Sequence, residues 1–234
     1  MKYRALATDY DGTVAYDGKV DEPTLAALKQ VRAAGGRLIL VTGREMTDLF
    51  NTFEHVDIFD RVVAENGAVL YDPSSKKIDV LAPSPPAPLV ERLTREKIPL
   101  SVGHCILATV EPHEHAMLAA IRDFALEWHV IFNKGSVMAL PAEVTKATGL
   151  VPALETLGVS HAETIGVGDA ENDQVFLRSC GLAVAVDNAL PSVKDLSDFV
   201  TPSARGAGVT ELITQWLRGE LDAIVPDSAK HQHS

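Results

Sequence analysis

Two aspartates two residues apart, Asp9 and Asp11, follow the apolar run Ala5-Leu6-Ala7 and precede Gly12-Thr13. A few apolar residues closed by a glycine turn signal are too short for a helix and read as a buried strand. Side chains alternate across a strand, so the spacing predicts that both carboxylates leave the strand end on the same side. Like charges placed together are unfavourable unless a cation or a proton intervenes, which is the setting of metal binding or of acid–base chemistry. Gly12 permits a sharp turn, and Thr13 offers a hydroxyl and an N–H to an anion. Taken alone, an Asp pair after a strand reads equally well as a turn or a helix cap.

Polar residues recur at the ends of other apolar runs. Leu38-Ile39-Leu40-Val41 leads into Thr42-Gly43-Arg44, and Arg61-Val62-Val63-Ala64 into Glu65-Asn66-Gly67. From the residues alone, Thr42 can cap a helix, Arg44 can cap a carbonyl, and Asn66-Gly67 reads as a turn. Thr145 can cap the helix that Lys146 opens. Farther on, Thr164-Ile165-Gly166-Val167 runs into Gly168-Asp169-Ala170-Glu171-Asn172-Asp173. Asp169 and Asp173, four apart, share one face of a first helical turn, where the helix dipole also favours carboxylates.

The elements that carry these residues are predicted from periodicity. Strand, helix, strand, with both strands apolar throughout, is the pattern of a parallel sheet covered on both faces, and right-handed connections bring the strand ends to one rim. The expected fold class is therefore α/β, a Rossmann-like parallel sheet with helices on both faces. Residues 69–80 read as a hairpin around Asp72-Pro73-Ser74-Ser75. Four prolines between 83 and 88 make a stiff connection, and beyond them the pattern changes to helix 89–97, strands near 100–103 and 105–110, helix 113–127, and strands near 129–132 and 136–140. That αββαββ order predicts a small inserted α+β domain. The organisation expected is core over 1–82, insert over 83–141, core again over 142–219, and a polar, disordered tail over 220–234.

Four motifs in order, D-x-D-G-T at 9–13, the strand-terminal Thr42, Lys146 ahead of Gly149-Leu150, and G-D-x-x-N-D at 168–173, resemble those of the haloacid dehalogenase superfamily of phosphatases and phosphotransferases. The T-G-R and E-N-G wording is similar to the Cof-type branch, and the compact insert resembles the caps of archaeal-type phosphoglycolate phosphatases and sucrose-phosphate phosphatase-like proteins. The resemblance implies an enzyme in which Asp9 is the nucleophile and Asp11 the general acid and base. It further implies that Thr42, Gly43, Lys146 and Asn172 hold phosphate, and that Asp9, Asp11, Asp169 and Asp173 surround a metal. Arg44, Asn66 and His104 become candidate substrate contacts; Arg92, Arg95, Lys97, Arg122 and Lys134 of the insert have that reading beside the plainer one of solvated surface residues. About four carboxylates with a phosphate and a single lysine cannot stay ionised without a divalent cation, and oxygen donors favour Mg²⁺ over Zn²⁺.

The implied activity is Mg²⁺-dependent hydrolysis of a small phosphorylated metabolite, a sugar phosphate or phosphoglycolate, through an aspartyl-phosphate. A phosphosugar mutase using the same chemistry is the alternative, and a non-catalytic phosphometabolite-binding protein a further one. Composition agrees with a small-molecule role. The 234 residues are 46% hydrophobic, enough for a substantial core, with net charge −11 and a pI near 5.1. No basic stripe offers itself to nucleic acid, and no apolar run approaches the roughly 20 residues of a membrane span. Cys105 and Cys180 sit in apolar surroundings without C-x-x-C spacing and read as core thiols of a reducing compartment. With Met1-Lys2-Tyr3-Arg4 leading straight into the first strand, the expected location is the cytoplasm.

Overall fold

The computed structural model describes residues 2–133 and 135–227. In chain order these form β1 (Ala5–Thr8), α1 (Glu22–Ala33), β2 (Arg37–Val41), α2 (Met46–Thr52), β3 (Arg61–Ala64), β4 (Val69–Asp72) and β5 (Lys77–Val80). An insert follows, with α3 (Ala87–Arg95), β6 (Ser101–Val102), β7 (Leu107–Val110), α4 (Glu114–Asp123), β8 (Trp128–Asn133) and β9 (Ser136–Pro141). The chain then returns with α5 (Lys146–Leu157), β10 (Thr164–Gly168), α6 (Gln174–Ser179), β11 (Leu182–Ala185), α7 (Pro191–Leu196), β12 (Phe199–Val200) and α8 (Arg205–Leu217).

Eight strands make the main sheet in the order β12-β11-β10-β1-β2-β3-β4-β5. Every pairing from β12 to β3 is parallel, and the predicted hairpin β4–β5 adds an antiparallel edge. The chain leaves β1 toward β2 on one side and leaves β10 toward β11 on the other. Because such crossovers are right-handed, α1 and α6 fall on opposite faces, which is why the central strands are apolar on both sides. Helix α1 packs beside α8, and α5 beside α6. The fold is thus the expected α/β class, and the point where strand order reverses lies between β1 and β10, the usual place for a ligand crevice.

The insert is a four-stranded antiparallel sheet, β6-β7-β9-β8, with α3 and α4 on one side. Its alternation is readable residue by residue. Leu107 and Ala139 join Leu89, Leu93, Met117 and Ile121 in a small core of the insert's own. Met138 and Leu140, on the opposite face of β9, join the core of the main sheet instead. One strand therefore serves two cores, and the insert lies against the sheet rim.

The structure corrects several sequence expectations. The strand expected from residue 105 begins at Leu107, because the backbone N–H groups of Cys105 and Ile106 are taken by the Glu65 carboxylate and not by a neighbouring strand. Helix α4 stops at Asp123 rather than at 127, with Ala125 in the left-handed region at φ +51. The tail is not free from residue 220: Glu220–Ala223 forms a helical turn whose Leu221 is buried, and Asp227 N–H donates to Asp198. An apolar anchor on an otherwise polar segment suffices to dock it. Residues 228–234 lie outside the described residues. No helix among those described is long and apolar enough to cross a membrane, and both cysteines are buried free thiols.

One close approach sets the position of α5. Gly67, at φ +112, and Gly149, in the first turn of α5, pack backbone to backbone: a Cβ on Gly149 would lie 2.5 Å from Gly67 Cα and 2.6 Å from its carbonyl oxygen. Gly149→Ala should therefore lower stability in urea unfolding by about 2–3 kcal/mol, since backbone cannot step aside as a flexible side chain would. Gly35→Ala, at φ +83 but facing open space, should cost only about 1 kcal/mol.

Candidate active site

Strand β1 ends at Thr8, and the chain turns immediately. Asp9 N–H donates to Val167 O of β10 (3.0 Å), after which the N–H groups of Thr13, Val14 and Ala15 all point back to the carbonyl of Tyr10. Gly12, at φ +93, is the residue that lets the chain reverse here. Since the strand has stopped, its alternation no longer governs the two aspartates, and they part. Asp9 turns inward and is buried. Asp11 instead forms a two-pronged ion pair with Arg44, Nε to Oδ2 at 2.7 Å and NH2 to Oδ1 at 2.8 Å.

Asp9 meets Asp169 and Asp173, the three carboxylates lying within 4.8 Å of one another and all buried. Lys146 is the ammonium among them, 2.6 Å from Asp9 Oδ1 and 2.5 Å from Asp173 Oδ1, and only 2% exposed. The second oxygen of Asp173 accepts N–H bonds from Asp169 and Ala170, both 2.9 Å, so this residue also caps its own turn. Thr13 Oγ1 donates to Asp169 Oδ1 at 3.2 Å. Three segments distant in sequence therefore converge on one point. Asp11, expected among the metal ligands, is not in this cluster; Arg44 holds its carboxylate at the mouth of the cleft.

The electrostatics of the cluster are lopsided. Burial, with the neighbouring Asp173 and Asp169 charges, pushes the Asp9 carboxyl from its ordinary 3.8 up to about 8, against the pull of Lys146. Burial by itself would lower the Lys146 pKa, but the Asp173 and Asp9 charges outweigh it and hold the ammonium firmly protonated. Three carboxylates cannot all be ionised beside one ammonium in a buried site. A hard divalent cation fits the donor set, which is wholly carboxylate oxygen. Asn172 adds an independent sign of room for such a group: its Oδ1 is buried and without a hydrogen-bond partner, while its Nδ2 donates to Asn66 Oδ1 at 2.9 Å.

Around this centre lies a cleft of about 440 Å³ between the rim and the insert, walled by Asp9, Arg44 and Lys146 below and by Ser101, Ser136 and Met138 above. Gly43 also borders it, and a Cβ there would come within 3.0 Å of the Asn66 amide. Thr42 is buried at the end of β2, its Oγ1 accepting the Arg44 N–H. Asn66, at φ +54, spends its Nδ2 on Met138 Sδ (3.4 Å) and so ties the rim to the insert. Arg44 spends four of its five N–H groups on the protein: beyond Asp11 it reaches Asp48 (2.7 Å) and Thr52 (3.0 Å). His104 does not border the cleft; its Nδ1 lies 3.1 Å from Glu65 Oε1. Arg92 pairs with Glu96 and Asp123 on the outside of the insert, and Lys134 lies outside the described residues.

Two partners escaped sequence reasoning. Glu65 stood in view within E-N-G, but nothing in one dimension shows that its carboxylate is fully buried. Asn188 donates to Gly12 O (2.9 Å) and accepts from Arg205 N–H (2.8 Å), bracing the Asp9 turn from the far end of the chain. An asparagine shortly after an apolar strand was the sole signal for it.

Without a divalent cation, the folded site holds on Asp9 a proton that the unfolded chain releases near pH 3.8. Stability in EDTA should therefore fall as pH rises from about 4 to about 8, because the folded state binds the extra proton over that window. Thermal unfolding across the range checks this, and Asp9→Asn should flatten the profile.

Sequence comparison agrees with the geometry. The family model of haloacid dehalogenase-like hydrolases matches residues 6–84 and 101–213, ranges that contain Asp9, Thr42, Lys146, Asp169 and Asp173. Similar chains include a phosphoglycolate phosphatase of Methanothermobacter thermautotrophicus, 30% identical and covering 92% of this chain and 99% of the relative. Another, from Archaeoglobus fulgidus, is 29% identical with coverage of 91% and 96%. Among solved structures, a haloacid dehalogenase-like hydrolase from Bacteroides thetaiotaomicron superposes with a TM-score of 0.77 at 19% identity, over 92% of this chain and 99% of that one. With its rim residues converged as above and its length matched almost throughout, the chain belongs to the haloacid dehalogenase-like hydrolase family.

Proposed function

We propose that this hydrolase is a Mg²⁺-dependent phosphomonoesterase acting on a small phosphorylated metabolite through an aspartyl-phosphate on Asp9. The observation that carries the reading is the buried group of Asp9, Asp169 and Asp173 around Lys146 at the strand-order switch. Asp9, Asp169 and Asp173 would hold the cation, which when bound would offset their charge and that of the phosphoryl oxygens.

The chain's own residues have the following parts. A carboxylate oxygen of Asp9 attacks phosphorus, the bond to the leaving oxygen breaks, and protonated Asp11 gives that oxygen its proton. Asp11, now a carboxylate, takes a proton from water, whose oxygen attacks the phosphorus of the acyl phosphate and returns Asp9 and inorganic phosphate. Arg44 holds the Asp11 carboxylate at rest by two parallel hydrogen bonds, and this pair must open for Asp11 to carry the proton. Lys146, the Thr42 hydroxyl, the Gly43 N–H and Asn172 are assigned to the phosphoryl oxygens, because phosphoryl transfer depends mainly on position and charge. Residues 83–141 act as a cap that excludes water and walls in the leaving group. A cleft of about 440 Å³ suits a small ester. The relatives that are phosphoglycolate phosphatases make phosphoglycolate the first substrate to try. Buried free thiols suit a reducing, cytoplasmic setting.

Phosphate release from a panel of phosphoglycolate, sugar phosphates and p-nitrophenyl phosphate tests the reading. Activity should vanish in EDTA and return with Mg²⁺. Asp9→Asn should lower kcat by at least about a thousandfold while the protein stays folded, because loss of a covalent nucleophile removes the whole route. Full turnover in Asp9→Asn, or hydrolysis indifferent to EDTA, would refute it.

A further inference from the structure

The chemistry above gives Glu65 no part, yet this residue is fully buried. It stands at φ +51, followed by Asn66 at φ +54 and Gly67 at φ +112. Two consecutive non-glycine residues persist in the left-handed region only where surrounding contacts fix them. The backbone is held by the rim, Glu65 N–H donating to Arg44 O and Asn66 N–H to Thr42 O, both 3.0 Å, and the Glu65 side chain by the insert. Glu65 Oε1 accepts the His104 N–H (2.9 Å) and faces His104 Nδ1 (3.1 Å), while Oε2 accepts the N–H groups of Cys105 (2.8 Å) and Ile106 (3.2 Å). Three consecutive backbone donors thus end on one carboxylate. Gly103 lies so close that a Cβ there would come within 2.7 Å of Glu65 Oε1.

Glu45, at the start of α2, borders the same cleft as Ser101. Segment 101–106 is fastened to the end of β3 through Glu65, and Ser101 and Ile106 within it form part of the cleft wall opposite Asp9.

We infer that Glu65 is a positioning residue, a clasp that seats the β6–β7 hairpin on the core rim and thereby fixes the leaving-group wall relative to Asp9. This deepens the phosphomonoesterase reading and rests on it. Hydrogen bonds to a buried carboxylate are strong, and deleting the acceptor leaves three backbone N–H groups without partners, so the hairpin must lift or admit water. The phosphate pocket, built from β1, β2, α5 and β10, does not include Glu65 and should survive the loss. A leaving group that depends on the insert should bind less well, whereas inorganic phosphate, which needs only the core, should not.

The test uses the full chain with Mg²⁺, comparing wild type, E65A and E65Q. Three quantities are read: KM and kcat for the best ester of the panel, the inhibition constant of inorganic phosphate, and amide hydrogen exchange. E65A should raise KM about tenfold or more while the phosphate inhibition constant stays within about twofold, and E65Q, which keeps one acceptor oxygen, should fall between. Exchange at residues 104–106 should quicken by at least about tenfold in E65A, with the strand Thr164–Gly168 as protected as before. An unchanged KM, or a phosphate inhibition constant that rises in step with KM, overturns the clasp. Should wild type hydrolyse no ester at all, the phosphatase reading fails separately, and exchange still decides the clasp: unaltered protection at 104–106 in E65A overturns it. If E65A does not fold, E65Q is read by the same measures against wild type.

Discussion

Three carboxylates share a buried space with one ammonium, and that imbalance is the constraint around which the chain is arranged. Each of Asp9, Asp169 and Asp173 could be accommodated at a surface at little cost. Buried together, they are tolerable only through Lys146, through backbone N–H groups such as those on Asp173, and through a proton or a cation. Lys146 is correspondingly far from an ordinary lysine: its four-carbon stem is buried and its head is fixed between two aspartates. The site is built to be incomplete without a positive partner.

Backbone geometry meets this demand more than side-chain choice does. Parallel strands β1 and β10 are adjacent in the sheet although about 160 residues separate them in the chain, so Asp9 and Asp169 leave neighbouring strand ends. Lys146 reaches them because α5 can sit against the 65–67 turn, and it can sit there because Gly67 and Gly149 have no side chains in the way. The insert is treated in the same manner. It has a small core of its own, yet β9 gives Met138 and Leu140 to the main core, and Glu65 takes its backbone donors. Roof and floor of the cleft are thus one packed body at this edge.

Much of this was legible in one dimension. Apolar runs of four or five residues, all buried on both faces, gave a parallel sheet because no half-exposed strand would have lacked alternation. Helix α1 starts with ordinary local signals, Pro23 in its first turn and Asp21 before it, whose side chain accepts the Thr24 N–H. The polar residues closing β1, β2 and β10 could be expected at one rim from handedness alone. Harder to read were places where a strand or helix gives way to irregular backbone. Asp11 was grouped with Asp9 by an alternation that ends at Thr8, and residues 105–106 were placed in a strand although a carboxylate takes their N–H groups.

By itself, then, the sequence determined the strands, the order of the motifs, and which residue types could hold a phosphate and a cation, because periodicity and local turn chemistry act over a few neighbours. Only the tertiary structure decided that Asp11 faces Arg44 and not the acidic centre, that His104 turns to Glu65, and that Glu65 binds the insert to the rim. The physical reason is common to all three. Each depends on where a charged group finds its partner once water is gone, and that partner lies tens of residues away in the chain.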